Sequence, residues 1–186
     1  MVDADLYDAT ADVWKRPISE IKFGNAVTSI GENTFNMAVT LAKVFMSDGI
    51  TSIGNNAFAD CASVEFDKLP NNLTSIGTAA FENCSSITYM SIPSGVKTIG
   101  PYAFSGCYQM TNVTIPDNVR TIGQHAFDGC HYLERITIPE SVTSIGQYAF
   151  FDCTDLRNVT ICSDSLTIGH SAFEACTTLA NVIFKL

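Results

Sequence analysis

This chain is short of charge. Only 16% of its residues are Asp, Glu, Lys or Arg; ten basic residues lie scattered against nineteen acidic ones, for a net charge of −9. A nucleic-acid binder concentrates Lys and Arg along the phosphate path, so nucleic acid is set aside as a partner, and anionic membrane surfaces with it. Long apolar runs are missing too. None approaches the ~18 residues of a membrane span, so no membrane insertion is expected. The first residues, Met1-Val2-Asp3-Ala4-Asp5-Leu6, carry neither the basic nor the apolar part of an export signal. The expectation is therefore either a cytoplasmic protein or one piece of a longer exported one. The seven cysteines include no Cys-x-x-Cys pair, the usual spacing of zinc ligands. Nothing singles out a nucleophile and a carboxylate around one of the three imidazoles. No catalytic residue, no metal and no cofactor is expected; the chain does not read as an enzyme.

What is present is repetition. Ile-Gly-x-x-x-Phe occurs seven times at a constant spacing of 23 residues, with isoleucines at Ile30, Ile53, Ile76, Ile99, Ile122, Ile145 and Ile168. The matching phenylalanines are Phe35, Phe58, Phe81, Phe104, Phe127, Phe150 and Phe173. A fixed period of this kind means a solenoid, in which no unit buries its apolar face alone. One copy reads Leu133-x-x-Ile136-x-Ile138-Pro139-x-x-Val142-x-x-Ile145-Gly146-x-x-Ala149-Phe150-x-x-Cys153. Within it, Ile136-Thr137-Ile138 alternates with period two and is rich in β-branched residues, which predicts a short strand. Equivalent strands stacked ~4.8 Å apart make a parallel sheet along the whole solenoid. Pro70, Pro93, Pro116 and Pro139 close four of these strands, where a missing N–H does no harm.

The strand slots run from Ile18-Ile21-Phe23 through Leu41-Val44-Met46 to Leu179-Val182-Phe184, which makes eight rungs. Apolar spacings of three and four over Ala149-Phe150-x-x-Cys153-x-x-Leu156 predict one helical or 3₁₀ turn. The Gly after each Ile is expected either to take a positive φ or to let neighbouring backbones approach. The phenylalanines should stack as one spine.

The Leu-x-x-Ile-x-Ile-Pro, Val-x-x-Ile-Gly and Ala-Phe-x-x-Cys blocks, clearest from Ile87 to Cys176, resemble the leucine-rich repeats of the BspA-like, or Treponema pallidum-type, class. The resemblance covers the chain from Ile18 onward. It implies an α/β-type solenoid with 23-residue repeats and the parallel β-sheet on a concave face. It also implies a family found largely on microbial surfaces, linked to adhesion, with no shared catalytic residues.

Departures from the repeat mark caps and special places. Residues 1–17 contain no repeat; Leu6, Tyr7, Thr10, Val13 and Trp14 would line one face of a short helix. This stretch is expected to be a helical cap on the solenoid formed by residues 18–186. In the third rung Asp67 holds the slot of Val or Ile, and Phe66 sits one position early. Burial of an unpaired Asp67 is costly, so a local bulge or register shift that turns Phe66 inward is expected. Near the end Leu166 falls one residue late and Ser165 takes the Val slot. The last residues, Phe184-Lys185-Leu186, lie within a strand, so either further repeats follow or this edge self-associates.

Six cysteines share the period: Cys61, Cys84, Cys107, Cys130, Cys153 and Cys176. In-register neighbours keep their Cβ atoms near the ~4.8 Å rung spacing, beyond the ~3.8 Å a disulfide prefers, so these read as buried structural thiols. Cys162 stands where other rungs have Pro and reads as a surface thiol. His125 lies between Tyr102 and Tyr148 in neighbouring rungs, a candidate stacked ladder, and Tyr108 is the equivalent of His131 one rung earlier.

Outward slots of the strands carry the information that the core cannot. One slot holds Glu20, Lys43, Phe66, Tyr89, Asn112, Arg135, Asn158 and Asn181; the other holds Lys22, Phe45, Lys68, Ser91, Thr114, Thr137, Thr160 and Ile183. Aromatics beside basic residues are what interface hot spots use, so Lys43, Phe45, Lys68, Tyr89, Asn112 and Arg135 form the candidate partner-binding patch. The leading expectation is a non-catalytic protein-binding or adhesion module of a larger microbial surface protein, its ligand an extracellular-matrix or host surface protein. The alternatives are an intracellular interaction scaffold and a self-associating structural element.

Overall fold

Short strands repeat at the period of the sequence and stack in parallel. The computed structural model describes residues 17–185 and, before them, the backbone of Tyr7–Asp8 and Val13–Trp14, which pair antiparallel. The helical cap expected over 1–17 is strand, not helix, at these four residues, and the rest of residues 1–16 lies outside the described residues.

The expected strand slots form eight strands: Glu20–Lys22, Lys43–Phe45, Glu65–Phe66, Tyr89–Ser91, Asn112–Thr114, Arg135–Ile138, Asn158–Ile161 and Asn181–Phe184. They are numbered here as rungs 1 to 8. In Tyr89–Ser91 and Asn112–Thr114 the middle residue is buried and its neighbours face out. A second ladder, which the sequence reading did not anticipate, is built from the residues of the Ile-Gly motif. It comprises Ser29–Ile30, Ser52–Ile53, Ser75–Ile76, Thr98–Ile99, Thr121–Ile122, Ser144–Ile145 and Thr167–Ile168. Each rung contributes two residues to it, a Ser or Thr followed by the buried or partly exposed Ile.

The sheet expected to run the length of the solenoid is interrupted. The first ladder pairs within rungs 1–3, 4–5 and 6–8, and the second within rungs 1–3 and 4–7. Among the described residues, the boundary between rungs 3 and 4 is the one at which both ladders stop.

The third side of each rung carries the phenylalanines. All six neighbouring pairs from Phe35 to Phe173 stack, with ring centroids 5.2 to 5.8 Å apart and planes within 14° of parallel. Rings from Phe35 to Phe150 are fully buried, so the spine is the core. The expected helical or 3₁₀ turn after each Phe comes no further than single i→i+3 turns; there is no helix among the described residues. Isolated turns such as Cys61 N–H to Phe58 C=O are present, but they do not propagate.

Two physical causes are visible. From Phe35 to Phe150 each Phe N–H is committed to the next rung, as Phe58 is to the carbonyl of Ala80 at 2.9 Å. In addition, residues two before and two after the Phe have positive φ: Asn56 and Asp60, Ala79 and Asn83, Tyr102 and Gly106, His125 and Gly129. A left-handed residue ends a right-handed helical turn.

The glycines of the motif resolve the other open expectation. Their φ is not positive; the positive-φ glycines are Gly106 and Gly129. Close approach is the reason instead. A Cβ on Gly146 would lie 2.5 Å from the backbone nitrogen of Gln124, and one on Gly169 2.6 Å from that of Gln147.

Candidate functional site

The candidate patch is set by strand alternation, and the third rung changes which residues enter it. Val64 and Phe66 are two residues apart, where Leu133 and Ile136 are three, and Phe66 lies seven residues before Leu73, where Val113 lies six before Val119. One residue is lost before the strand and regained after it. Glu65 therefore pairs with Lys43 and Phe66 with the buried Val44. Phe66 turns inward and meets Phe58 and Phe81 edge-on, at 5.1 Å each. This is the expected register shift, and it leaves Asp67 exposed.

The shift also corrects the lane of outward side chains. Phe66 does not belong to it; Glu65 does. Lys68 does not follow Phe45 as its in-register neighbour, because Asp67 takes that place. Lys68 is exposed one position later, with Nζ 3.7 Å from Asp48 Oδ1. Asp48 is the anchor of this corner: Asn71 donates to it from its backbone N–H at 2.9 Å and from Nδ2 at 3.0 Å. These hydrogen bonds hold the Asp48 carboxyl below its ordinary range, with Lys68 adding a smaller electrostatic contribution.

The other patch residues stand where the slots place them. Lys43 and Tyr89 face out, Phe45 is half-buried, and Asn112 pairs in register with Tyr89. Lys22 Nζ lies 5.2 Å over the Phe45 ring and forms an ion pair with Glu20 at 2.8 Å. Arg135 lies two rungs beyond Tyr89 and sits beside Glu134 at 3.7 Å. The patch is thus a line across rungs 2 to 6 rather than one cluster. Its two halves differ: rungs 1–3 present Glu20, Lys22, Lys43, Glu65, Asp67 and Lys68, whereas rungs 4 and 5 present the uncharged Tyr89, Ser91, Asn112 and Thr114.

At the junction of these halves lies a cleft of about 400 Å³, lined by Phe66, Asp67, Lys68, Tyr89, Met90 and neighbouring residues. Tyr89 is 54% exposed, and its hydroxyl lies 3.4 Å from that of Thr114. Hydrogen bonds from Thr114 and Ser91 hold the phenol below its ordinary pKa. The sequence reading named the residues on either side of this cleft without anticipating the opening between them. The slot mismatch at Asp67 was the signal that could have found it.

The remaining chemical groups are accounted for by packing. Each ladder thiol donates to the carbonyl of a Phe in the preceding rung: Cys61 to Phe35 at 3.0 Å, Cys84 to Phe58 at 3.1 Å and Cys107 to Phe81 at 3.3 Å. Burial pushes the Cys61 thiol up to about 12 and raises Cys84, Cys107 and Cys130 well above the usual thiol range. Cys162 is half-buried rather than fully at the surface.

His125 stacks on Tyr102 at 4.7 Å and on Tyr148 at 5.0 Å, as expected, with Nδ1 2.7 Å from Asp128. His131 lies against Tyr108 at 5.1 Å, with Nε2 3.0 Å from Asp152. The stacked rings turn their faces to one another and so offer only edges to a ligand. Among the described residues no group of three or more His, Cys, Asp or Glu side chains is placed to hold a metal ion.

Comparison with known proteins agrees with this architecture. The fold superposes on the T. pallidum leucine-rich repeat protein TpLRR with a TM-score of 0.86 at 22% identity, covering 97% of this chain and 91% of that one. At that identity the likeness is one of fold. A leucine rich cell surface protein from Faecalibacterium prausnitzii A2-165 is similar at 29% identity and a TM-score of 0.61, covering 89% of this chain and 53% of that one. The chain therefore spans about half the length of that relative. No protein of curated function matches it. The description "BspA type Leucine rich repeat region" matches in six copies over residues 15–111 and 97–186, and the chain belongs to that family of leucine-rich repeat proteins.

Proposed function

We propose that this protein is a non-catalytic binding module that holds a protein ligand on the strand face of its solenoid, as part of a larger microbial cell-surface protein. The observation that carries this reading is the face itself. Lys43, Phe45, Lys68, Tyr89, Asn112 and Arg135 follow one another along rungs 2 to 6, and Lys68 and Tyr89 flank an open cleft, while the Ile, Phe and Cys of each repeat are committed to packing. Aromatic and basic side chains on an acidic protein suit an interface that buries a few anchors. Surface display is supported by the F. prausnitzii relative, whose description is of a cell surface protein. An extracellular-matrix or host surface protein is the ligand class that this placement suggests.

The test is affinity capture from host-cell and matrix extracts, followed by measurement of the purified partner. Phe45→Ala with Tyr89→Ala should weaken binding with no loss of thermal stability. Unchanged affinity in the double variant would remove this patch as the binding surface.

A further inference from the structure

The cleft between rungs 3 and 4 is more than a dent in the strand face. In the first ladder the outward-slot residues direct their backbone groups towards the preceding rung. Lys43 donates its N–H to Ser19 at 3.0 Å, and Phe45 accepts at its carbonyl from Phe23 at 2.9 Å. Tyr89 and Ser91 occupy these slots in rung 4, yet no strand pairing joins Tyr89–Ser91 to Glu65–Phe66. The edge that a regular neighbour would satisfy is open.

The second ladder shows the same gap independently. Gly54, Gly77, Gly123, Gly146 and Gly169 each donate to the Ile of the preceding rung, and no such bond links Gly100 to Ile76. On the Phe side the two rungs stay joined, with Phe81 N–H bonded to Ala103 at 3.0 Å and the Phe81 and Phe104 rings 5.3 Å apart. The boundary is joined on the Phe side and again just before the strand face, where Ser86 donates its N–H to the Ala62 carbonyl at 3.1 Å; beyond that point neither strand ladder pairs across it. The first ladder also lacks pairing between rungs 5 and 6, but there the second ladder runs through unbroken and no residue is displaced.

We propose that this cleft is a slot for an extended peptide segment of a protein partner, which pairs with the open edge of Tyr89–Ser91 and seats one apolar side chain against Phe66. It lies on the face proposed above for protein binding and depends on that reading. An extended chain is the occupant that matches, because it alone repeats donor and acceptor groups at strand spacing, and addition of a strand to an open edge is a recurring mode of peptide capture. The floor is apolar, with Phe66, Leu69, Ile87 and Met90, and the volume of about 400 Å³ falls within the ~300–1,000 Å³ typical of ligand sites. Glu65, Asp67 and Lys68 at the rim leave a single net negative charge, so selection falls mainly on shape and on the backbone of the ligand.

The test uses the full chain and a displayed library of random twelve-residue linear peptides. Enriched peptides should carry an aromatic or aliphatic anchor, shift the amide signals of Tyr89 and Ser91, and slow hydrogen exchange there. In a selected peptide, N-methylation of the alternate residues that face the edge should weaken binding by about tenfold or more. N-methylation of the other alternate set should leave it unchanged. Phe66→Thr with Asp67→Val returns an apolar residue to the regular slot; it should close the ladder and abolish peptide binding without lowering the melting temperature.

No enrichment, perturbed amides elsewhere, or equal tolerance of both methylated sets would overturn the slot. If the slot fails while Phe45→Ala with Asn112→Ala still weakens a protein partner, the strand face stands as the binding surface without it. If neither changes anything, both readings fall.

Discussion

Two boundaries in this solenoid are built from the same motif and behave differently. Between rungs 6 and 7 the first ladder pairs at four positions, from Arg135 with Asn158 to Ile138 with Ile161, and Gly169 donates to Ile145 at 2.8 Å. Between rungs 3 and 4 neither ladder is paired, although the Phe rings stack as closely as elsewhere. Apolar stacking alone therefore does not impose the rung spacing on all sides. Backbone pairing does, and it needs the strand residues in register. Rung 3 shifts its strand by one residue; it stays paired with rung 2, Glu65 with Lys43 and Phe66 with Val44, and is unpaired with rung 4.

The comparison can be broken most sharply at the phenylalanines. Phe127→Ala, in a fully buried ring sandwiched at 5.4 and 5.2 Å, should cost ~3–5 kcal/mol in urea denaturation. Phe66→Ala, in a half-buried ring beside the cleft, should cost less than half of that. Equal costs would mean that the parted boundary is packed as tightly as the rest.

Glycine replacement is the next most sensitive probe. Gly169→Ala places a methyl 2.6 Å from backbone and should destabilise by ~1–3 kcal/mol. Gly100→Ala meets its nearest atom at 3.3 Å, so a smaller loss is expected there. A reversed order of melting temperatures would contradict the open and closed assignments.

A third comparison concerns the thiols. Cys107→Val fills the space but removes the donor to Phe81, and should cost ~1 kcal/mol. In the native protein a thiol reagent should reach Cys162 well before the five buried ladder cysteines, which should react only on unfolding.

The smallest effect is expected at Asp48. Its folded pKa lies below the unfolded value, so the bracket with Asn71 contributes stability above the unfolded pKa and loses it as pH falls through the folded one. Because the group is exposed, the change in stability will be slight. The cleaner readout is its carboxyl titration by NMR, which should return to the ordinary range in Asn71→Ala.

Much of this was legible residue by residue. The period identified the buried positions, and the mismatch of Phe66 and Asp67 with their slots announced the register shift before any coordinates. The stacks of His125 between Tyr102 and Tyr148 followed from equal spacing. The left-handed backbone was half legible: Asp60, Asn83, Gly106, His125, Gly129 and Asp152 are residue types that accept positive φ, but Ala79, Tyr102 and Tyr148 carry no such mark. Sequence spacing suggested a helical turn there, because a spacing of three and four does not distinguish a helix from a chain of turns whose N–H groups serve the next rung. Lys68 was misplaced for a related reason: counting by 23 assumes that every rung keeps step, and rung 3 does not.

What the sequence determined by itself was equivalence: which residues repeat, which are buried, and where the repeat is violated. These follow from periodicity, because a stacked unit must present the same face to both neighbours. What only the tertiary structure decided was how that violation is absorbed. The Phe spine continues, the two strand ladders part, and a cleft opens at Tyr89. The physical reason is that ring stacking tolerates a neighbour's slip, whereas hydrogen bonds between strands require donor and acceptor to meet within a few tenths of an ångström.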